Sequence, residues 1–218
     1  FRDTLELPIP DDRLEEAPYF HPGEQSPEVK YLKERRFALG GSLPVRRAPK
    51  PALSCPEDKI FEEAFKGAAK AEVSTTMAFV RLLRGLLRDK KIGKHVVPII
   101  PDEGRTFGMD ALFREVGIYA SMGQKYEPVD ANHFLYYRES QNGQILEEGI
   151  TEAGSMASFQ AAGTSYATHG TVTIPFYLFY SMFGFQRTSD QIWQCGDARA
   201  RGFLLGCTAG RTTLNGEG

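Results

Sequence analysis

The most apolar runs of the chain are short, and helical patterns separate them. VVPII (96–100), VTIPFYLFY (172–180) and FLLGCTAG (203–210) lack polar alternation, as expected of strands buried on both faces. HFLYYRES (133–140) also reads as a strand. Between these runs the apolar spacing changes to that of helices. STTMAFVRLLRGLLRDKKIGK (74–94) is the clearest case. Ser74 is placed to cap it, and Met77, Val80, Leu83 and Leu87 form one stripe. Arg88, Lys90 and Lys91 suit its last turn, and Gly93 is the expected stop. DALFREVG (110–117), ITEAGSMASFQAAGTSYAT (150–168) and SMFGFQRTSDQIWQCGDARARG (181–202) read as further helices, the second built from small residues. Strand and helix alternate, which predicts an α/β fold with a mostly parallel sheet flanked by helices.

The first quarter of the chain differs. LPIPDDRLEE (7–16) predicts an extended segment, then a short helix capped near Asp11. In SPEVKYLKERRFALGG (26–41), Ser26 is an N-cap, Pro27 a first-turn residue and Gly40 a stop, with Val29, Leu32 and Leu39 on one face. A basic, proline-containing stretch follows, VRRAPKPALSCP (45–56). The boundary of the main domain is expected after it. Residues 1–56 thus read as a helical and extended linker segment, and 57–218 as the main domain. The chain begins at Phe1 and stops after NGEG, which reads as an internal piece of a longer polypeptide.

Composition narrows the function classes. The 218 residues are 41% hydrophobic and 25% charged with a formal net charge of -2, so no basic field points to nucleic acid. The three cysteines, Cys55, Cys195 and Cys207, have no CxxC spacing. They argue against a disulfide framework or zinc site and fit a reducing cytoplasm. No HExxH pair, GxSxG, P-loop or GxGxxG occurs, and IPFYLFYSMFGF (174–185) is too short to span a membrane.

In parallel sheets ligands sit beyond the carboxyl ends of the strands. Three motifs fall there: Asp102-Glu103 after VVPII, Glu152 within EEGITEAG (147–154), and Tyr180 to Phe183 after VTIPFYLF. Each has an ordinary reading beside a chemical one. Asp102 and Glu103 suit a helix N-terminus, and Glu152 suits a first-turn acid favoured by the helix dipole. Tyr180, Phe183 and Phe185 suit a core. The chemical reading is a carboxyl at the mouth of the sheet, shielded by those aromatics. Pattern alone leaves both open.

Four long strings, in order, carry a resemblance: PIIPDEGRTFGMDALFREVGIY (98–119), GQILEEGITEAG (143–154), IPFYLFYSMFGFQR (174–187) and ARGFLLGCTAGRTTLNGEG (200–218). Together with PDDRLEEAPYFHPGE (10–24) and ERRFALGGSLP (34–44), they closely resemble the homodimeric bacterial pyruvate dehydrogenases. These are the thiamine-diphosphate-dependent first component of the pyruvate dehydrogenase complex. The resemblance covers nearly the whole chain and is weakest over 48–72. It implies the central piece of a far longer chain: the transketolase-like, aminopyrimidine-binding domain, truncated at its C-terminal end and preceded by the segment leading out of a diphosphate-binding domain.

By this resemblance Glu152 is the acid that activates thiamine diphosphate, its carboxyl bonding N1′ of the aminopyrimidine. Phe183 matches the aromatic that stacks on that ring, Tyr180 a tyrosine beside it, and Ile150 an apolar contact. Asp102 and Glu103 match the acidic pair lining the substrate side, and Arg105 a structural partner to them. Thr151 stands where relatives often carry Asn. The implied cofactors are thiamine diphosphate and Mg²⁺, with the Mg²⁺ ligands outside this chain. The implied partners are pyruvate, the lipoyl domain of dihydrolipoyl acetyltransferase and a second copy of the chain, with no nucleic acid or membrane. The implied location is cytoplasmic, and the isolated piece is expected to be inactive. Two alternatives remain: a related thiamine-diphosphate 2-oxoacid dehydrogenase or transketolase, and a non-catalytic dimerisation module.

Overall fold

The computed structural model describes residues 1–42, 53–68, 70, 72–101, 104–129 and 137–208. The chain divides into two compact units, Phe1–Val45 and Arg46–Gly218.

The first unit holds a 3-10 turn at Asp11–Glu16 and helix α1, Pro27–Ala38. Ser26 caps α1 as its spacing predicts, its Oγ accepting the Val29 N–H at 3.3 Å. Val29 is buried, but Leu32 and Leu39 of the expected stripe are exposed. The acidic 3-10 turn buries no residue of its own.

The second unit contains α2 (Glu62–Lys66), α3 (Thr75–Arg88), β1 (Val96–Ile100), α4 (Asp110–Glu115), β2 (Ile118–Tyr119) and β3 (Glu139–Ser140). It continues with β4 (Leu146–Glu147), α5 (Glu152–Thr168), β5 (Ile174–Tyr180), α6 (Ser181–Asp197) and β6 (Phe203–Cys207). The principal sheet runs β4-β1-β5-β6, and each neighbouring pair is parallel. Ile99 lies opposite Leu146, Val96 opposite Ile174, and Tyr180 opposite Cys207. A second pair, β2 with β3, is also parallel. The fold is α/β with a parallel sheet flanked by helices.

The register explains the unbroken apolar runs. Side chains of a strand alternate between faces, so a strand covered on both sides has no polar positions to spare. Val96 and Ile100 of β1 join Phe176 and Leu178 of β5 in a cluster with Leu83 and Leu87 of α3 and Leu112 and Phe113 of α4. The intervening Ile99, Tyr177 and Phe179 face the other way, against Met156 and Phe159 of α5 and Cys195 of α6. The sheet therefore separates two hydrophobic layers. Burial pushes the Cys195 and Cys207 thiols up, as suits packing residues.

Three expectations need adjustment. Helix α3 stops at Arg88 rather than at Gly93. The Asp89 carboxylate accepts the N–H groups of Lys91 and Ile92 at 2.8 and 2.9 Å, which turns the chain away from helix. Strand β6 is not buried on both faces. It is one of the two edge strands of the sheet among the described residues, and Phe203 is half exposed. Of the strand expected at 133–140, residues 139–140 pair as β3, while 133–136 lie outside the described residues. No helix among the described residues is long and apolar enough to cross a membrane.

Candidate active site

The carboxyl ends of β1, β4 and β5 open to one side of the sheet. Glu152 stands there as the first residue of α5. Thr151 precedes it in an extended conformation and caps the helix, its Oγ1 accepting the Gly154 N–H at 3.2 Å. Glu152 is 8% exposed, although it is a carboxylate.

A buried carboxylate needs a partner, and Glu152 has one. Its Oε1 accepts from the Arg187 guanidinium of α6 at 2.7 Å. The same guanidinium lies over the Phe183 ring, 4.8 Å from its centroid. Arg187 thus joins the candidate acid to the candidate stacking aromatic. Sequence reading did not single it out. The signal was its place in α6: Phe183 and Arg187 are four apart and so share one helix face. Beneath them, Tyr177 is almost fully buried, with its hydroxyl 3.5 Å from the Glu152 carbonyl oxygen. Burial, opposed by a hydrogen bond with Ser155 and aided by the Glu152 charge, pushes the Tyr177 phenol up. It stays a neutral floor to the site.

The aromatics expected to shield Glu152 divide. Phe183 sits beside Arg187, and the Tyr180 ring meets Phe183 edge-on at 6.5 Å. Phe185 packs against Phe179 and is half exposed. Tyr180 lies on the other face of β5 from Tyr177, and its ring meets Phe107 in a tilted contact, 5.2 Å between centroids. Ile150, on the turn before α5, is exposed. Asp102 and Glu103 lie outside the described residues. Arg105 reaches Asp110 at 3.8 Å. The two acids beside Glu152 in sequence are held by hydroxyls: Tyr137 donates to Glu147 at 3.2 Å, and Ser158 donates to Glu148.

The pyruvate dehydrogenase E1 component middle domain model matches residues 52–218 of this chain. The chain belongs to that family. Proteins named pyruvate dehydrogenase E1 component match all of it: 56% identity in Pseudomonas aeruginosa, 58% in Cupriavidus necator and 57% in Mycobacterium tuberculosis. The chain spans about a quarter of the length of these curated relatives, 24–25%. As an E1 middle domain, it brings together a buried carboxylate, a guanidinium and a pair of aromatic rings. Among the described residues no cluster of three or more His, Cys, Asp and Glu side chains could hold a metal ion. The arrangement can accept a hydrogen bond from a flat heterocycle and hold its face against an aromatic ring.

Proposed function

We propose that this chain is the aminopyrimidine-binding part of a thiamine-diphosphate-dependent pyruvate dehydrogenase. The parent enzyme decarboxylates pyruvate and passes the acetyl unit to the lipoyl group of dihydrolipoyl acetyltransferase. The observation that carries this reading is Glu152: a carboxylate buried at the mouth of a parallel sheet, held by Arg187 beside Phe183. The donor set suits an aminopyrimidine, which needs one carboxylate acceptor and an aromatic neighbour. Bound thiamine diphosphate supplies the carbon nucleophile and the electron sink. Glu152 would share a proton with the pyrimidine nitrogen, its carboxyl donating to the bare nitrogen and its carboxylate accepting from the protonated one. Phe183 holds the ring face and Tyr180 its edge, with Ile150 completing the apolar contact. Asp102 and Glu103 line the substrate side.

Residues 1–56 form the segment leading into this domain and 57–218 the domain itself, with the Mg²⁺ ligands elsewhere on the parent chain. The parent enzyme works as a homodimer in the cytoplasm, and the isolated piece is inactive. The test uses the full-length parent enzyme with thiamine diphosphate and Mg²⁺. Pyruvate-dependent reduction of an artificial electron acceptor is measured for wild type and Glu152→Gln. Loss of activity in the variant, with the fold intact, supports the reading. Equal activity in both would leave Glu152 an ordinary helix-start acid. No pyruvate turnover in either would remove the proposed substrate.

A further inference from the structure

Helix α6 lies close against β5. A Cβ on Gly184 would run into the Phe179 ring, so the helix sits directly on the strand. Thr188, one turn on, is buried and donates through Oγ1 to the Gly184 carbonyl at 2.6 Å. The second half of α5 is seated as tightly. Gly163 accepts the Arg201 N–H at 2.9 Å, and a Cβ on it would lie 2.8 Å from the Arg201 carbonyl oxygen. Backbone thus fixes α5 at that end. Its other end, the first turn that carries Glu152, meets α6 through side chains.

Phe183, Arg187 and Gln191 recur at every fourth position of α6 and so share one helix face. The Arg187 guanidinium donates to the Glu152 carboxylate at 2.7 Å. One turn further along α6, Gln191 Nε2 donates to the Ala153 carbonyl oxygen at 3.0 Å. A carbonyl oxygen has two lone pairs, so this one can accept from Gln191 and still serve its own helix. The two bonds hold different things. Arg187 holds the carboxylate, at the end of a side chain with several rotatable bonds. Gln191 holds the backbone beside Glu152, the point from which that side chain starts. We propose that Gln191 is a positioning residue, which ties the first turn of α5 to α6 and so sets where the Glu152 carboxyl meets the cofactor ring. This rests on the reading of Glu152 as the acid that bonds the aminopyrimidine. The Gln191 bond is neutral and ends on a backbone oxygen, so its effect reaches the chemistry through Glu152.

The test uses the full-length parent enzyme. Gln191→Met keeps the length and removes the donor, whereas Gln191→Lys keeps both length and donor. Gln191→Met is expected to weaken thiamine diphosphate binding in the presence of Mg²⁺ by roughly 2–10-fold, the range a single lost hydrogen bond supports. It should lower kcat by a similar factor and leave KM for pyruvate unchanged, and Gln191→Lys should restore most of both. In a Glu152→Ala background, Gln191→Met should have no further effect on cofactor affinity. An equal weakening in both backgrounds would overturn the proposal, because Gln191 would then act without Glu152. Unchanged affinity and kcat in Gln191→Met would overturn it as well. A further readout does not need catalysis: hydrogen exchange of a peptide covering residues 152–158, which Gln191→Met should speed and Gln191→Lys should return toward wild type. Unchanged exchange would overturn the tie between the helices. Glu152→Gln, run in parallel, separates the two readings. Full turnover in that variant would overturn the cofactor-site reading and the positioning role with it. Loss of turnover in Glu152→Gln, with no change in Gln191→Met, would overturn the positioning role alone.

Discussion

Glu115 closes α4, and two arginines of α3 hold it. Arg84 donates through Nε to Oε1 at 2.7 Å and also through its terminal nitrogen. Arg88 donates through Nε to Oε2 at 2.8 Å and through its terminal nitrogen to Oε1 at 2.7 Å. Glu115 keeps 22% of its side-chain exposure, while the arginines keep 41% and 60%. The Arg84 hydrogen bonds hold the Glu115 carboxyl below its usual range; burial opposes them, and the Arg88 hydrogen bonds add to the lowering.

Glu115→Gln keeps the shape and removes the charge. Charge-assisted bonds in a dry site are worth more than neutral ones, but partial exposure screens these. The expected loss is about 1–2 kcal/mol at neutral pH. That corresponds to roughly 5–30-fold faster exchange of the α3 and α4 amides in the intact parent protein, provided they exchange by a shared opening. The pH sign follows from the lowered value. Glu115's contribution is complete above the unfolded carboxyl value of about 4.3 and disappears as pH falls through the lower folded value. The difference between wild type and Glu115→Gln should therefore be flat from pH 8 to 5 and shrink only below about pH 4. Equal exchange in both proteins at pH 7 would refute the clamp. A difference that persists unchanged at pH 3 would refute its electrostatic origin.

Three further outcomes are expected. Gly163→Ala should destabilise the fold by about 1–2 kcal/mol despite better helix propensity, because the new Cβ would lie 2.8 Å from the Arg201 carbonyl oxygen; thermal unfolding of the parent protein reads this. Thr151→Ala should cost about 1 kcal/mol by removing the cap of α5, and Thr151→Asn should restore most of it; hydrogen exchange of the first turn of α5 checks both. With a thiol reagent at pH 8 and peptide mapping, exposed Cys55 should react first. Cys195 and Cys207 should lag until the fold is opened, because burial raises both thiols.

The layered core was legible from pattern, because β1 and β5 are apolar at every position and only a doubly covered strand tolerates that. Helix starts were legible for the same kind of local reason. Ser26 and Ser74 cap where their side chains can reach the third amide. Helix ends were less so. Basic residues and a glycine after α3 pointed to Gly93, while the deciding group was the Asp89 carboxylate, which competes for the next amides. The edge position of β6 could not be read from its residues, since FLLGC is as apolar as a central strand. What distinguishes it is which neighbour pairs beside it, and that is a property of the whole sheet.

The site shows where local pattern stops for a different reason. A carboxylate in the first turn of a helix is ordinary, and the dipole favours it whether or not it is buried. Burial of Glu152 depends on α6, more than thirty residues along the chain, bringing Arg187 to it. Without a cation in reach, a carboxylate only 8% exposed would be costly to keep charged. Arg187 is itself half exposed and rests on Phe183, so it can meet Glu152 without being buried with it. One guanidinium therefore answers the charge of the acid and fixes the ring beside it. A substitution at Arg187 should disturb both residues together, whereas one at Phe183 should leave the Glu152 ion pair largely in place. That asymmetry marks Arg187 as the residue joining the two halves of the site, and it arises from the packing of α5 against α6 rather than from any motif in the sequence.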